Sequence, residues 1–209
     1  MTGLRERQRV RIQQAIQDAA TRLFLASGFD AVSVNEIAAA AEVSKRTLFK
    51  YFPSKEDLVI GAFSDHRDEL ARVVLERGDA APLDALERHF RAGLAGRDPV
   101  TGLDDRPPTL TFVAMVLSTP SLQARLLLYQ TRAEQALTAA LGGGASARLA
   151  AYQIFAAHRA LADENRHHLT AGMSADERYP AAAEAAGHAF HLLRHGLGRL
   201  GAASQWGSE

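Results

Sequence analysis

Two helix starts, a cationic cluster and three aromatic residues share the sixteen residues from Val43 to Leu58, more local specification than any other part of the chain carries. Ser44 is a good N-cap, because its hydroxyl can accept one of the unpaired amide protons at a helix start. Leu48 and Phe52 then fall on one face at i and i+4, leaving Lys45, Arg46, Thr47 and Lys50 to point elsewhere. Pro53 stops this helix, and Ser54 with Asp57 repeats the capping pattern for the next. Lys55 sits in that next first turn, beside backbone amides that favour an anion. A short helix with a cationic, hydroxylated outer face suits a groove lined with phosphates, where some side chains hold the backbone while others reach base edges.

The residues before it complete a helix-turn-helix. Ser33-Val34-Asn35-Glu36 reads as a capping box, Ile37 and the alanines at 38 to 41 are compact enough for a close helix crossing, and Glu42-Val43 makes the turn. With Gly28-Phe29 ahead of them, and with Val43 to Phe52 and Pro53 to Leu58 behind, these segments resemble the DNA-binding domain of the tetracycline-repressor (TetR) family. The resemblance covers about the first quarter to third of the chain, and it is specific because it joins several capped segments in a fixed order. It implies a homodimer that binds palindromic double-stranded operator DNA, most often as a repressor, and lets go when a small molecule enters a C-terminal helical bundle. The candidate DNA contacts are Ser33, Ser44, Lys45, Arg46, Thr47, Phe49, Lys50 and Lys55.

Two positions depart from the family pattern. Glu42 stands where glycine is usual, and a left-handed turn there costs a non-glycine residue about 1 kcal/mol, so the turn is expected to be remodelled or strained. Phe49 stands where tyrosine is frequent. Without the phenol, the phosphate role passes to Thr47, Lys50 and Lys55, and Phe49 becomes an apolar contact of the kind that meets a thymine methyl.

Charge follows the same division. Lys plus Arg and Asp plus Glu are each 24, so the chain as a whole is neutral, yet residues 1–55 hold nine basic residues against five acidic ones. A cationic end on a neutral chain is the electrostatic footprint of a DNA-reading module joined to something with another job. Cysteine is absent, no apolar run reaches bilayer length and no signal core follows the N-terminal arginines, so a cytoplasmic protein with no membrane partner is expected.

Helical periodicity runs through the remainder, with no alternating strand pattern, and predicts an all-α chain of about nine helices. Residues 1–54 are read as a three-helix DNA-binding domain and 55–209 as a helical domain for effector binding and dimerisation. A first helix is expected from Arg7 to Ser27, a long fourth from Lys55 to Arg77, a polar flexible loop from Gly96 to Pro108, and a last helix from Pro180 to Leu200. Small residues crowd the last two helices, where Ala156, Ala160, Phe190, Leu193 and Leu197 are the candidate dimer contacts.

For the effector, Phe90, Phe112, Met115, Tyr129, Phe155 and His158 lie on the middle helices, where a mainly apolar cavity with a few polar anchors fits a moderately hydrophobic compound. Each of these residues taken singly is as well explained by core packing. His188, His191 and His195 share a helical face, but no cysteine assists and no carboxylate is in step after Glu184, so no metal and no cofactor is assigned. No nucleophile elbow, phosphate-cradling glycine loop, dinucleotide fingerprint or zinc-protease helix occurs, which weighs against an enzyme. An architectural DNA binder without an effector is the remaining alternative.

Overall fold

The computed structural model describes residues 2–196, and among these the secondary structure is helical throughout. The order is α1 (Thr2–Ser27), α2 (Val34–Ala40), α3 (Lys45–Tyr51), α4 (Lys55–Ile60), a 3₁₀ turn (Gly61–His66), α5 (Glu69–Leu75), α6 (Pro82–Ala95), a second 3₁₀ turn (Pro99–Thr101), α7 (Pro107–Ser118), α8 (Pro120–Ala140), α9 (Gly144–Thr170) and α10 (Ala175–His195). Among the described residues no single helix is long and apolar enough to cross a membrane.

The chain divides into two compact units. The first holds Met1–Arg67 with Arg106–Ala133, the second Asp68–Asp105 with Glu134–Glu209. Contact therefore groups α7 and most of α8 with the N-terminal helices, although the sequence suggests a functional boundary after residue 54.

In the first unit, Ile16, Ala20 and Phe24 of α1 meet Ile37 and Ala38 of α2, Leu48 of α3 and Leu58 and Val59 of α4, with Val116 and Leu122 completing the core. Glycine 61 is shaped by this packing. A Cβ there would lie 2.9 Å from both the Phe52 ring and the Gln17 amide oxygen. Gln17 in turn donates to the Leu58 carbonyl at 2.6 Å, closing the C-terminal end of α4 onto α1.

Three expected boundaries move. Helix α1 begins at Thr2 rather than Arg7. The single helix expected from Lys55 to Arg77 is instead α4, a 3₁₀ turn and α5, because Gly61, Ser64 and Asp65 are weak helix formers in the middle of the periodic run. Pro180 lies inside α10 instead of opening it, since a capping box of Ser174 and Glu177 starts the helix five residues earlier, at Ala175: Glu177 N–H donates to the Ser174 hydroxyl at 3.3 Å, and Ser174 N–H to the Glu177 carboxylate at 2.8 Å. The Ser174 hydroxyl, which donates to the same carboxylate at 2.6 Å, and after it the Ser174 N–H hold the Glu177 carboxyl below its ordinary pKa.

The second unit packs α6, α9 and α10 around Leu86, Phe90, Leu94, Ile154, Leu161, Ala186 and Phe190. The loop expected to be flexible after Gly96 is fixed at its centre: Thr101, Gly102, Leu103 and Asp104 are all buried. Asn165 donates to the Thr101 carbonyl at 2.9 Å and accepts from Arg178 Nε at 3.1 Å, so one buried amide ties this segment to α9 and α10.

Candidate nucleic-acid interface

Both helices of the helix-turn-helix are built as their sequences dictate. Ser33 accepts from Glu36 N–H at 3.2 Å and donates its own N–H to the Glu36 carboxylate at 2.7 Å, which starts α2. The Ser33 side-chain bond, with the backbone bond second, lowers the Glu36 pKa. The chain then reverses through Glu42, whose φ is 54°, with Glu42 N–H bonded to Ala39 and Val43 N–H to Ala38 at 2.9 Å. The turn is thus strained rather than remodelled. Glu42→Gly is expected to raise unfolding stability by about 0.5 kcal/mol, because relief of the left-handed strain exceeds the added freedom of the unfolded chain. A urea midpoint that falls instead would mean that the Glu42 side chain itself supports the turn.

Helix α3 follows, capped by Ser44, which accepts from Thr47 N–H at 3.0 Å and whose hydroxyl lies 2.9 Å from the Thr47 hydroxyl. Leu48 is fully buried and pins the helix to the core. The other side is free: Ser44, Lys45, Arg46 and Lys50 are exposed, Thr47 is half-buried, and Phe49 keeps 37% of its surface in solvent. The Lys45 ammonium sits 6.0 Å from the Phe49 ring centre, so the phenylalanine backs a cation as well as offering an apolar surface. None of the three cations on α3 is drawn into a salt bridge among the described residues. Helix α3 therefore presents a compact positive face with two hydroxyls at its leading end.

Lys55 stands apart from this group. Its ammonium donates to the Phe29 carbonyl at 2.5 Å and lies 4.3 Å over the Phe29 ring and 6.0 Å from that of Phe24. This cation ties α4 to the end of α1, a role that needs tertiary contact 26 residues away and leaves no mark in local sequence. Lys55→Met, which keeps the stem but removes the charge, is expected to lower stability by about 1–2 kcal/mol. A salt dependence of DNA binding reduced by about one unit, with melting unchanged, would instead restore the phosphate role.

The remaining candidates fall into separate places. In the first unit Phe112, Met115 and Tyr129 border the core, and Phe63 joins Phe112 and Tyr129 with ring centres 5.7 and 6.4 Å away. The Tyr129 hydroxyl donates to the Phe63 carbonyl, so it is already satisfied. In the second unit His158 is wedged between Phe90 at 4.9 Å and Phe190 at 5.8 Å, and its Nε2 is buried without a hydrogen-bond partner. Burial, with the nearby His89 second, drives the His158 pKa down to about 4. Phe155 is half-buried on α9. Phe63 escaped the sequence reading because its neighbours suggested an uninterrupted helix.

Of the dimer candidates, Ala156 and Ala160 are exposed on α9, on the same face as Leu149 and Tyr152, which are 59% and 49% exposed. Leu193 is half-buried, while Leu197 lies outside the described residues. Phe190 is completely buried in its own unit and cannot line an outer face; its periodicity marked a buried stripe, which is the same signal for an internal core and for an interface.

The sequence model for bacterial regulatory proteins of the tetR family matches residues 16–62, from the middle of α1 through α4. Among curated proteins the chain is similar to the HTH-type transcriptional regulator TcmR of Streptomyces glaucescens, at 36% identity over 128 residues covering 60% of this chain and 56% of that protein. It is also similar to the HTH-type transcriptional regulator RutR of Escherichia coli strain K12, at 39% identity over 94 residues and 44% of each chain. The chain spans about half the length of the curated relatives it matches. A solved TetR-family regulator from Streptomyces coelicolor A3 is similar at a TM-score of 0.55 and 26% identity, covering 87% of this chain and 96% of that one. NalD, the secondary repressor of the MexAB-OprM multidrug efflux pump in Pseudomonas aeruginosa, shares the fold at a TM-score of 0.55 and 19% identity, with 85% and 96% covered.

Proposed function

Since this chain belongs to the tetR family of bacterial regulatory proteins, we propose that it is a cytoplasmic, ligand-responsive transcriptional repressor that binds palindromic operator DNA as a homodimer. The single observation that carries the reading is the free cationic face of α3, held out by one fully buried leucine and preceded by a capped helix and a left-handed turn. Functionally, residues 1–54 read the DNA, and 55–209 serve effector binding and dimerisation.

In this reading α3 enters a major groove. Arg46 reaches base edges, Ser33, Ser44, Thr47 and Lys50 hold phosphates, and Lys45 with Phe49 flanks a thymine methyl. Two copies, about 34–36 Å apart, would read a palindrome. A single short helix makes too few contacts for specific binding, and two-fold symmetry doubles them. The exposed Leu149, Tyr152, Ala156 and Ala160 strip on α9 supports pairing of copies through the C-terminal helices.

The effector would be a moderately hydrophobic small molecule, for which the two aromatic groups, Phe63-Phe112-Tyr129 and Phe90-His158-Phe190, are the candidate linings. Release requires that the effector bind more tightly to a state with the wrong head spacing, because equal affinity for both states shifts nothing.

Selection of bound sequences from a random duplex pool tests the reading. An enriched palindrome with half-sites one helical turn apart is expected, and no enrichment at moderate salt would overturn it. Arg46→Ala is expected to weaken operator binding by about 1–3 kcal/mol and relax preference at one base position. Uniform weakening over all operator variants would make Arg46 a phosphate contact.

A further inference from the structure

The outer face of α10 carries Glu184, His188, His191 and His195 at positions i, i+4, i+7 and i+11, so all four project from one side of the helix. All four are exposed. The rings of His191 and His195 are the closest ring pair in the described structure, with centroids 4.4 Å apart at an interplanar angle of 46°. Other histidines are engaged. His89 faces Glu69 at 3.5 Å, His168 faces Glu164 at 3.1 Å, and His158 is enclosed by aromatic rings. Among the described residues, no carboxylate or carbonyl holds His191 or His195, so their ring nitrogens remain available. The nearest cation on the same turns is directed away, since Arg194 is held by Asp84 at 2.6 Å and Glu87 at 2.7 Å.

We propose that His191 and His195 form a surface site for a late first-row divalent cation, with water completing the shell. Two imidazoles one helical turn apart converge on a point above the helix, which is the spacing that lets paired histidines of a helix share a metal. Imidazole selects zinc, nickel and copper. Magnesium and calcium, which require oxygen ligands, are excluded by the same donor set. The bound ion would staple the last turn of α10, just before the chain leaves the helix at Gly196 with φ 74°. The site goes beyond the proposed regulator reading and stands or falls independently of it.

The test is calorimetric titration of the untagged, chelator-stripped full chain near neutral pH with Zn(II), Ni(II) and Cu(II), each alone, and with Mg(II). The expected result is one ion per chain, tightest for Cu(II), and no heat with Mg(II). His191→Ala and His195→Ala should each weaken binding by at least roughly tenfold, because losing even an outer-sphere partner of a metal ligand has an effect of that order. His188→Ala, which leaves the pair intact, should bind as the parent does. Both rings are exposed, so metal-free melting of these variants should match that of the parent. Binding by a His191→Ala/His195→Ala double variant as tight as that of the parent would overturn the assignment, as would the absence of binding with all three transition ions.

Discussion

Gly102→Ala should destabilise the second unit by about 3–5 kcal/mol, the largest effect of any small substitution in the described chain. Two separate causes act at this position. Gly102 has φ 73°, where a side chain is strained, and a Cβ there would lie 2.1 Å from the Ala162 carbonyl oxygen of α9. A helix carbonyl cannot step aside as a flexible side chain would. Moving the loop away would also break the Asn165 bond to the Thr101 carbonyl and strand a buried amide. Gly78 separates the causes: its φ is 62°, but nothing lies within 4 Å of a Cβ placed there. Gly78→Ala should therefore cost only about 1 kcal/mol. Urea unfolding followed by helical circular dichroism measures both, and equal losses would show that the close approach to α9 is not what fixes residue 102.

The second large effect is acid sensitivity centred on His158. Its folded pKa is lowered to about 4, against about 6.5 for an unfolded chain. The folded protein therefore keeps the imidazole neutral, while the unfolded chain takes up a proton as pH falls. Stability from this group is fully present above about pH 6.5 and is lost progressively down to about pH 4, by about 3 kcal/mol in total. His158→Leu retains an apolar body between Phe90 and Phe190 and removes the group that titrates. Melting temperatures measured across that pH window should draw apart as pH falls: relative to the parent, the variant should gain stability between about pH 6.5 and about pH 4. Parallel curves for the two proteins would show that the buried imidazole does not bind its proton differently on unfolding.

Much of the DNA-facing module was legible because its determinants are local. Ser33-Glu36, Ser44-Thr47 and Ser54-Asp57 each act within one turn, so spacing alone located the three helix starts. The same holds for Leu48 and for the cations that its burial turns outward. Glu42 was recognisable, through the resemblance, as a turn that had to be remodelled or strained, and its φ of 54° decided for strain. Where the sequence reading was incomplete, the deciding contact was distant. Lys55 reads as a phosphate ligand from its place at a helix start, and the fold adds a bond to the Phe29 carbonyl that local sequence does not announce. The segment after Gly96 looked mobile from its polar, aperiodic composition, but Asn165, 64 residues from Thr101, holds it.

The sequence by itself determined the helical class, the capped helix-turn-helix and the positive face of α3, since propensity, capping and periodicity act over the few residues that a reader can see together. Only the tertiary structure decided which apolar stripe closes inward, as with Phe190, and which polar group is buried without a partner, as with His158. Burial is a property of what lies on the other side of a residue, and in this chain that is a helix from elsewhere in the sequence.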